Sequence, residues 1–155
     1  MSWAKVKKIN SDMSRSLDKL IIGQKRFVAT DTPLLSLSNG VAANFKSTSY
    51  KRVAKFQPGL AGTLKFKCTL DYSNSSYYAS LRIVDSAGTV IMPDVTASGG
   101  TTTIDKILTV DKDKIYYAEA KATNANYYVT VNNIQVCGDI VDYNWISGEG
   151  YTGES

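Results

Sequence analysis

A chain of 155 residues is one domain's worth, and its lack of histidine excludes Ser-His-Asp and Cys-His catalysis together with the usual histidine-containing zinc sites. The net charge of +4 belongs to one end: residues 1–30 hold seven Lys/Arg against two Asp, whereas the last 18 residues carry only acids, Asp139, Asp142, Glu149 and Glu154. No apolar run approaches the roughly 20 residues of a membrane span, and the basic N-terminus lacks the apolar stretch of a signal peptide, so a soluble protein with no export signal and no membrane partner is expected.

Residues 1–23 differ in character from the rest. Trp3, Val6, Ile9, Met13, Leu17, Leu20 and Ile21 recur at three- and four-residue steps, which is helical spacing. Asn10 or Ser11 suits an N-cap, Asp12 sits well in the first turn, and Gly23 suits the residue after the helix. A short helix over 11–22 is expected, with its apolar stripe buried either on the chain's own β domain or on a partner. From Gln24 the helical period disappears. Strands are predicted at Arg26–Ala29, Leu34–Leu37, Val41–Lys46 and Ser49–Phe56, punctuated by Asp31-Thr32-Pro33 and Ser38-Asn39-Gly40.

The clearest stretch is Leu60–Val84. Leu64, Phe66, Cys68, Leu70 and Tyr72 alternate with Lys65, Lys67, Thr69 and Asp71, the period of a strand with one dry and one wet face. Ser73-Asn74-Ser75-Ser76 supplies turn residues before Tyr77–Val84 alternates again, which reads as a β-hairpin with a polar tip. Thr89–Met92 follows, with Pro93 and Ser98-Gly99-Gly100 marking a loop. Thr101–Val110, a tight connection at Asp111-Lys112-Asp113, Lys114–Thr123 and Tyr127–Cys137 complete the set.

In the last of these strands Tyr127, Val129 and Val131 share one face while Ile134 and Val136 have the opposite parity. One extra residue at Asn132-Asn133, a β-bulge, would restore a single apolar face. Eight or nine strands with turns about every 8–12 residues predict an antiparallel sandwich or barrel. No internal repeat is evident. The domain plan is thus a helical anchor segment at 1–23, a β domain at 24–137 and an acidic tail at 138–155. That tail is either a mobile end or an arm ordered against a neighbouring subunit.

Chemistry-bearing motifs are sparse. No phosphate-binding glycine motif is present, and Asp111 and Asp113 lack the glycine and glutamate that a calcium loop requires. With only three Glu, two of them in the tail, no carboxylate pair suits glycoside hydrolysis. A non-enzymatic protein with no cofactor and no metal is expected. Lysines and arginines cluster only at the N-terminus, so no nucleic-acid partner is indicated. Cys68 and Cys137 lack metal-type spacing and are expected as buried free thiols, a disulfide between adjacent strands remaining open.

Tyr77-Tyr78, Tyr116-Tyr117 and Tyr127-Tyr128 are paired tyrosines. On strands, each pair sends one ring inward and one outward. Tyr72, Tyr77, Tyr78, Tyr116 and Tyr127 therefore admit three roles: cross-strand packing, a subunit interface, or a platform on which a sugar stacks.

Three segments carry a resemblance. Trp3-Ala4-Lys5-Val6-Lys7-Lys8-Ile9-Asn10-Ser11-Asp12-Met13 with Leu17-Asp18-Lys19-Leu20-Ile21 resembles the openings of small structural proteins of phages and prophages of Gram-positive bacteria. Val131-Asn132-Asn133-Ile134-Gln135-Val136-Cys137-Gly138 has the same flavour. Leu108-Thr109-Val110-Asp111-Lys112-Asp113-Lys114-Ile115-Tyr116 resembles the strand-turn-strand of jelly-roll fibre and receptor-binding domains.

The resemblance covers both ends and part of the middle. It implies a mainly β, antiparallel β-sandwich of jelly-roll type with a short N-terminal α-helix. In function it implies a virion component in a tail, baseplate or head fibre, assembled in the host cytoplasm, joined to other virion proteins and commonly a trimer. It transfers no catalytic or ligand residue. The alternative is a carbohydrate-binding module for host cell-surface glycans, with the tyrosines above as contacts.

Overall fold

The computed structural model of the protein describes residues 26–37, 41–141 and 149–151. The expected helix, the anchor residues Trp3, Val6, Ile9, Met13, Leu17, Leu20 and Ile21, and most of the acidic tail lie outside the described residues. Those described are mainly β, with no helix among them. The strands are β1 (Arg26–Ser36), β2 (Val41–Phe45), β3 (Lys51–Gln57), β4 (Gly62–Tyr72), β5 (Ala79–Asp85), β6 (Val90–Ala97), β7 (Gly100–Val110), β8 (Tyr116–Ala122), β9 (Val129–Val141) and β10 (Glu149–Tyr151).

They form two five-stranded sheets. The first has the order β2-β9-β1-β4-β7, with β9 also pairing directly to β4; the second has the order β10-β3-β8-β5-β6. Pairing is antiparallel apart from a short parallel contact of Phe27 in β1 with Gly62 in β4. The short β10, from the tail region, pairs with β3 of its own chain.

One core lies between the sheets. In β4 burial alternates without a break, Leu64, Phe66, Cys68, Leu70 and Tyr72 inward, as the sequence period requires. The second sheet contributes Tyr116 and the small Ala118, Ala120 and Ala122 from β8, and the larger Leu81 and Ile83 from β5. Burying a Phe or Leu in such a layer is worth about 1.5–3 kcal/mol. Phe56 joins the sheets, its ring 6.5 Å from Phe66 and 5.4 Å from Tyr116. The two buried phenols are satisfied by connecting backbone: the Tyr72 hydroxyl donates to the Asn124 carbonyl (2.8 Å), and the Tyr116 hydroxyl accepts from the Asp111 N–H (2.8 Å).

The expected bulge is present. Lys67 pairs with Gln135 but Thr69 with Asn132, so β9 carries one extra residue, and Asn133 has the positive φ of 54° that absorbs it. Ile134 and Val136 thereby join Val129 and Val131 in the core.

Two expectations are corrected. Leu64–Tyr72 and Tyr77–Val84 do not form a hairpin: β4 and β5 belong to different sheets, and Ser73–Tyr78 arches between them. Asp111–Ile115, the expected tight connection, likewise carries the chain from β7 in the first sheet to β8 in the second. Pro93 lies within β6 rather than ending it, tolerated because β6 is an edge strand with shifted register at that point.

The cysteines stay apart. Cys68 points into the core with Phe66 and Leu70, whereas Cys137 pairs with Lys65 and so lies on the opposite face of the same sheet. Both are buried and free, and burial pushes the Cys68 thiol up to about 12 and raises that of Cys137.

β1 is unusual. Its start, at Phe27, lies between β9 and β4, but Pro33–Ser36 pair with the stretch of β9 whose other edge is already taken by Lys65–Lys67. β1 therefore passes from one side of β9 to the other. The crossing is close at Gly138, where a Cβ would lie 2.8 Å from Leu64 Cδ2 and 3.2 Å from the Val28 carbonyl oxygen. Asp31, within the crossing segment, bonds the Lys65 ammonium at 2.8 Å and that of Lys67 at 3.3 Å.

Candidate functional site

The connections β4–β5 and β8–β9 emerge side by side at one end of the molecule, since Tyr72 pairs with Val129 and Ala79 with Ala122. Their sequences match. Ser73-Asn74-Ser75-Ser76-Tyr77-Tyr78-Ala79-Ser80 is repeated fifty residues later as Thr123-Asn124-Ala125-Asn126-Tyr127-Tyr128-Val129-Thr130. The match is structural as well. Asn74 Oδ1 accepts from the Ser76 N–H (2.8 Å) and the Tyr77 N–H (3.1 Å), and Asn124 Oδ1 accepts from the Asn126 N–H (2.9 Å). Each Asn folds its own loop in this way. The pairing Tyr72–Val129 becomes Ala122–Ala79 under the same fifty-residue shift, so the two arches are related by a local two-fold.

Each arch presents two tyrosines. Tyr77 (43% exposed), Tyr78 (48%), Tyr127 (36%) and Tyr128 (53%) all reach solvent, because they lie ahead of the strands rather than on them. Tyr127 leans edge-on against the buried Tyr72, centroids 6.2 Å apart. Tyr128 lies under the Lys46 ammonium, 4.6 Å from its ring centre. Tyr72 and Tyr116, expected among the contact tyrosines, are 0% and 1% exposed and have no ring surface to offer. Tyr128, Lys46 and the repeat itself were missed, although the recurring Asn-x-x-Tyr-Tyr was legible in the sequence.

Tyr78 is fixed by its neighbour arch. Its N–H donates to Thr123 Oγ1 (3.0 Å), and its carbonyl accepts from both the Thr123 N–H and hydroxyl, each at 2.9 Å. Ser98 Oγ donates to the Tyr77 carbonyl at 2.8 Å, and the Gly99 N–H donates to the Asn74 carbonyl at 3.0 Å. The β6–β7 connection thus braces the arch.

From Tyr78 a groove of about 530 Å³ runs over the outer face of the second sheet, lined by Tyr78, Ser80, Asp94, Thr96, Ser98, Lys121 and Thr123. Thr96, Ser80 and Lys121 form a row across β6, β5 and β8, because Ser80 is paired to both of the others. Along β6 the register slips so that Pro93 and Asp94 together oppose the single residue Arg82, a bulge of the kind that re-aims a side chain.

The Asp94 carboxylate receives the Tyr50 hydroxyl. The Tyr50 ring lies beneath the Arg82 guanidinium (3.7 Å) and the Lys121 ammonium (4.5 Å). Arg82 in turn bonds Glu119 at 3.2 Å. Burial, and then the Asp94 carboxylate, push the Tyr50 phenol up to about 12, so it remains a donor. None of Tyr50, Asp94 or Lys121 had a distinguishing signal in the sequence, because they meet only when three strands and a connection are laid side by side.

The groove lining holds one carboxylate, Asp94, and one ammonium, Lys121. Among the described residues no group of three or more Cys, Asp or Glu is placed to hold a metal ion. No protein-family model matches the chain, and comparison with curated proteins gives no match.

Proposed function

We propose that the protein is a non-enzymatic structural component of a phage virion, built on a jelly roll and mounted in a tail, baseplate or head fibre. It attaches through residues 1–23, with other virion proteins and copies of itself as partners, a trimer being favoured. The supporting observation is the strand order. Setting aside the short β10 and treating β1 and β2 as one strand divided along β9, the sheets read β1/β2-β9-β4-β7 and β3-β8-β5-β6. Each strand from β3 to β9 except β6 lies in the other sheet from its predecessor, and β5–β6 is a hairpin within the second sheet. That alternation supports the jelly-roll reading, an architecture of two Greek keys that recurs in viral shell and lectin domains.

The test is the solution mass of the full chain by sedimentation equilibrium, together with incorporation into particles. A closed oligomer is expected, and deletion of residues 1–23 should leave the β domain folded but unincorporated. A chain that stays monomeric at all concentrations, or a truncated chain that still enters particles, contradicts the proposal.

A second reading, recognition of host cell-surface glycans, is favoured by a separate observation: four solvent-facing tyrosines gathered at one end, beside a groove of mixed apolar and hydrogen-bonding character. Rings with hydroxyls, rigid and amphipathic, suit sugar faces. The two readings are compatible in one fibre.

A further inference from the structure

Resting on the glycan reading, we propose that the groove from Tyr78 to Asp94 on the outer face of the second sheet is a binding site for a neutral segment of a glycan chain. In this site Tyr78 is the stacking platform, and Asp94 and Lys121 are the polar contacts.

Three features define the ligand. The volume of about 530 Å³ falls within the range of roughly 300–1,000 Å³ typical of small-ligand sites. Its apolar surface comes from the Tyr78 residue, the Thr96 and Thr123 methyls and the Lys121 stem, interspersed with hydroxyl, carboxylate and ammonium groups, so a ligand there must be apolar and hydroxylated at once rather than a purely greasy peptide anchor. Asp94 and Lys121 carry opposite charges, and the neighbouring Arg82 is neutralised by Glu119, so the groove does not select an anion such as a phosphate. What remains is a ligand with an apolar ring face and several hydroxyls around it, which describes a pyranose.

The site is also pre-organised, which reduces the entropy lost on binding. Thr123 fixes the backbone of Tyr78 with three hydrogen bonds, and Ser98 ties the same arch. At the other end the single Tyr50 hydroxyl proton is shared between the two oxygens of Asp94, which keep lone pairs to accept from sugar hydroxyls.

The local two-fold gives an internal control. Tyr128 occupies the position in the second arch that Tyr78 has in the first, with similar exposure, but it lies under Lys46 rather than over the groove. A ligand seated in the groove distinguishes the two; a ligand lying across the end of the molecule does not.

The experiment is a titration of the full, isotope-labelled chain with N-acetylglucosamine tetramer, maltotetraose and a rhamnose oligomer to about 10 mM each, followed by backbone amide shifts. Binding by at least one probe is expected, with shifts at Ser80, Thr96, Ser98, Lys121 and Thr123. Tyr78→Ala and Asp94→Asn should each weaken it about tenfold, and Tyr128→Ala by less than about twofold. Their amide spectra identify any variant that fails to fold, and Tyr78→Phe, which keeps the ring, should retain most of the affinity. Shifts confined to Tyr77, Tyr127 and Tyr128, or equal losses in Tyr78→Ala and Tyr128→Ala, overturn the groove while keeping a glycan-binding end. No shift with any probe overturns the groove and the glycan reading together.

Discussion

The Tyr50 hydroxyl lies 2.7 and 2.8 Å from the two carboxylate oxygens of Asp94, forty-four positions along the chain, and so spans the outer face of the second sheet from the start of β3 to β6. The phenol is held up to about 12 by burial first and by Asp94 second, against an ordinary value of about 10. The neutral phenol is the form the fold favours. This contribution to stability is complete below pH 10 and is lost as pH rises from about 10 through 12. In Asp94→Asn the Tyr50 titration, followed by the ¹³Cζ shift, should move down towards 10 but stop short of it, because burial remains. An unchanged titration would show that the carboxylate does not hold Tyr50 in solution.

Acid stability depends on a different carboxylate. Asp85, at the β5–β6 turn, accepts from the N–H groups of Thr89 and Ala87, each at 2.9 Å, and bonds Lys114 at 3.1 Å. The Thr89 N–H, then Lys114 and the Ala87 N–H, hold its carboxyl below the ordinary range despite the opposing effect of burial. Asp31 is held low in the same sense by Lys65 and Lys67. A depressed carboxyl contributes stability above its unfolded value, and that stability disappears as pH falls below about 4. Tm should therefore drop over this window, and Asp85→Asn should flatten the drop without abolishing it. Equal slopes in the two proteins would remove Asp85 from the account.

Gly62 is the point at which β1 can be laid against β4. Its φ is +137°, and a Cβ there would lie 2.2 Å from the Phe27 carbonyl oxygen and 2.7 Å from its nitrogen. Backbone cannot yield as a flexible side chain does. Gly62→Ala is expected to cost about 3 kcal/mol or more in urea unfolding, with loss of protection at the amides of 26–28. Gly88 is the control: its φ is +85°, but nothing lies within 4 Å of an added Cβ, so Gly88→Ala should cost only about 1–2 kcal/mol of backbone strain. Similar costs at both sites would mean that the contact with Phe27 is unimportant.

Asn133 sets the face of the last long strand. Its left-handed backbone is easy for Gly and poor for a β-branched residue. Asn133→Gly should be near neutral and Asn133→Val should cost about 1–2 kcal/mol. Deleting Asn133 should be far worse, because it turns Ile134 and Val136 out of the core in a single step. A deletion variant with native-like Tm would refute the bulge as the determinant of register.

Within a strand, the chain by itself settled which side chains share a face. Alternation at Leu64–Tyr72 survives unchanged in β4, and the parity break at Asn132-Asn133 is legible because a strand's side chains must alternate whatever it pairs with. It also carried the duplicated Asn-x-x-Tyr-Tyr, a local device that folds each arch from its own side chain.

Pairing and depth were decided only in three dimensions. Alternation is blind to which strand lies alongside. The six residues 73–78 could close a hairpin or arch between sheets, and the choice rests on what Leu64–Tyr72 and Ala79–Asp85 each bury against. Depth follows from the same cause. Tyr72 is buried and Tyr78 exposed, although both are tyrosines at one connection, because only the former lies within the strand that faces the second sheet. The groove is the extreme case. Tyr50, Asp94 and Lys121 come from β6, β8 and the approach to β3, and no local rule joins them; the stacking order of strands does.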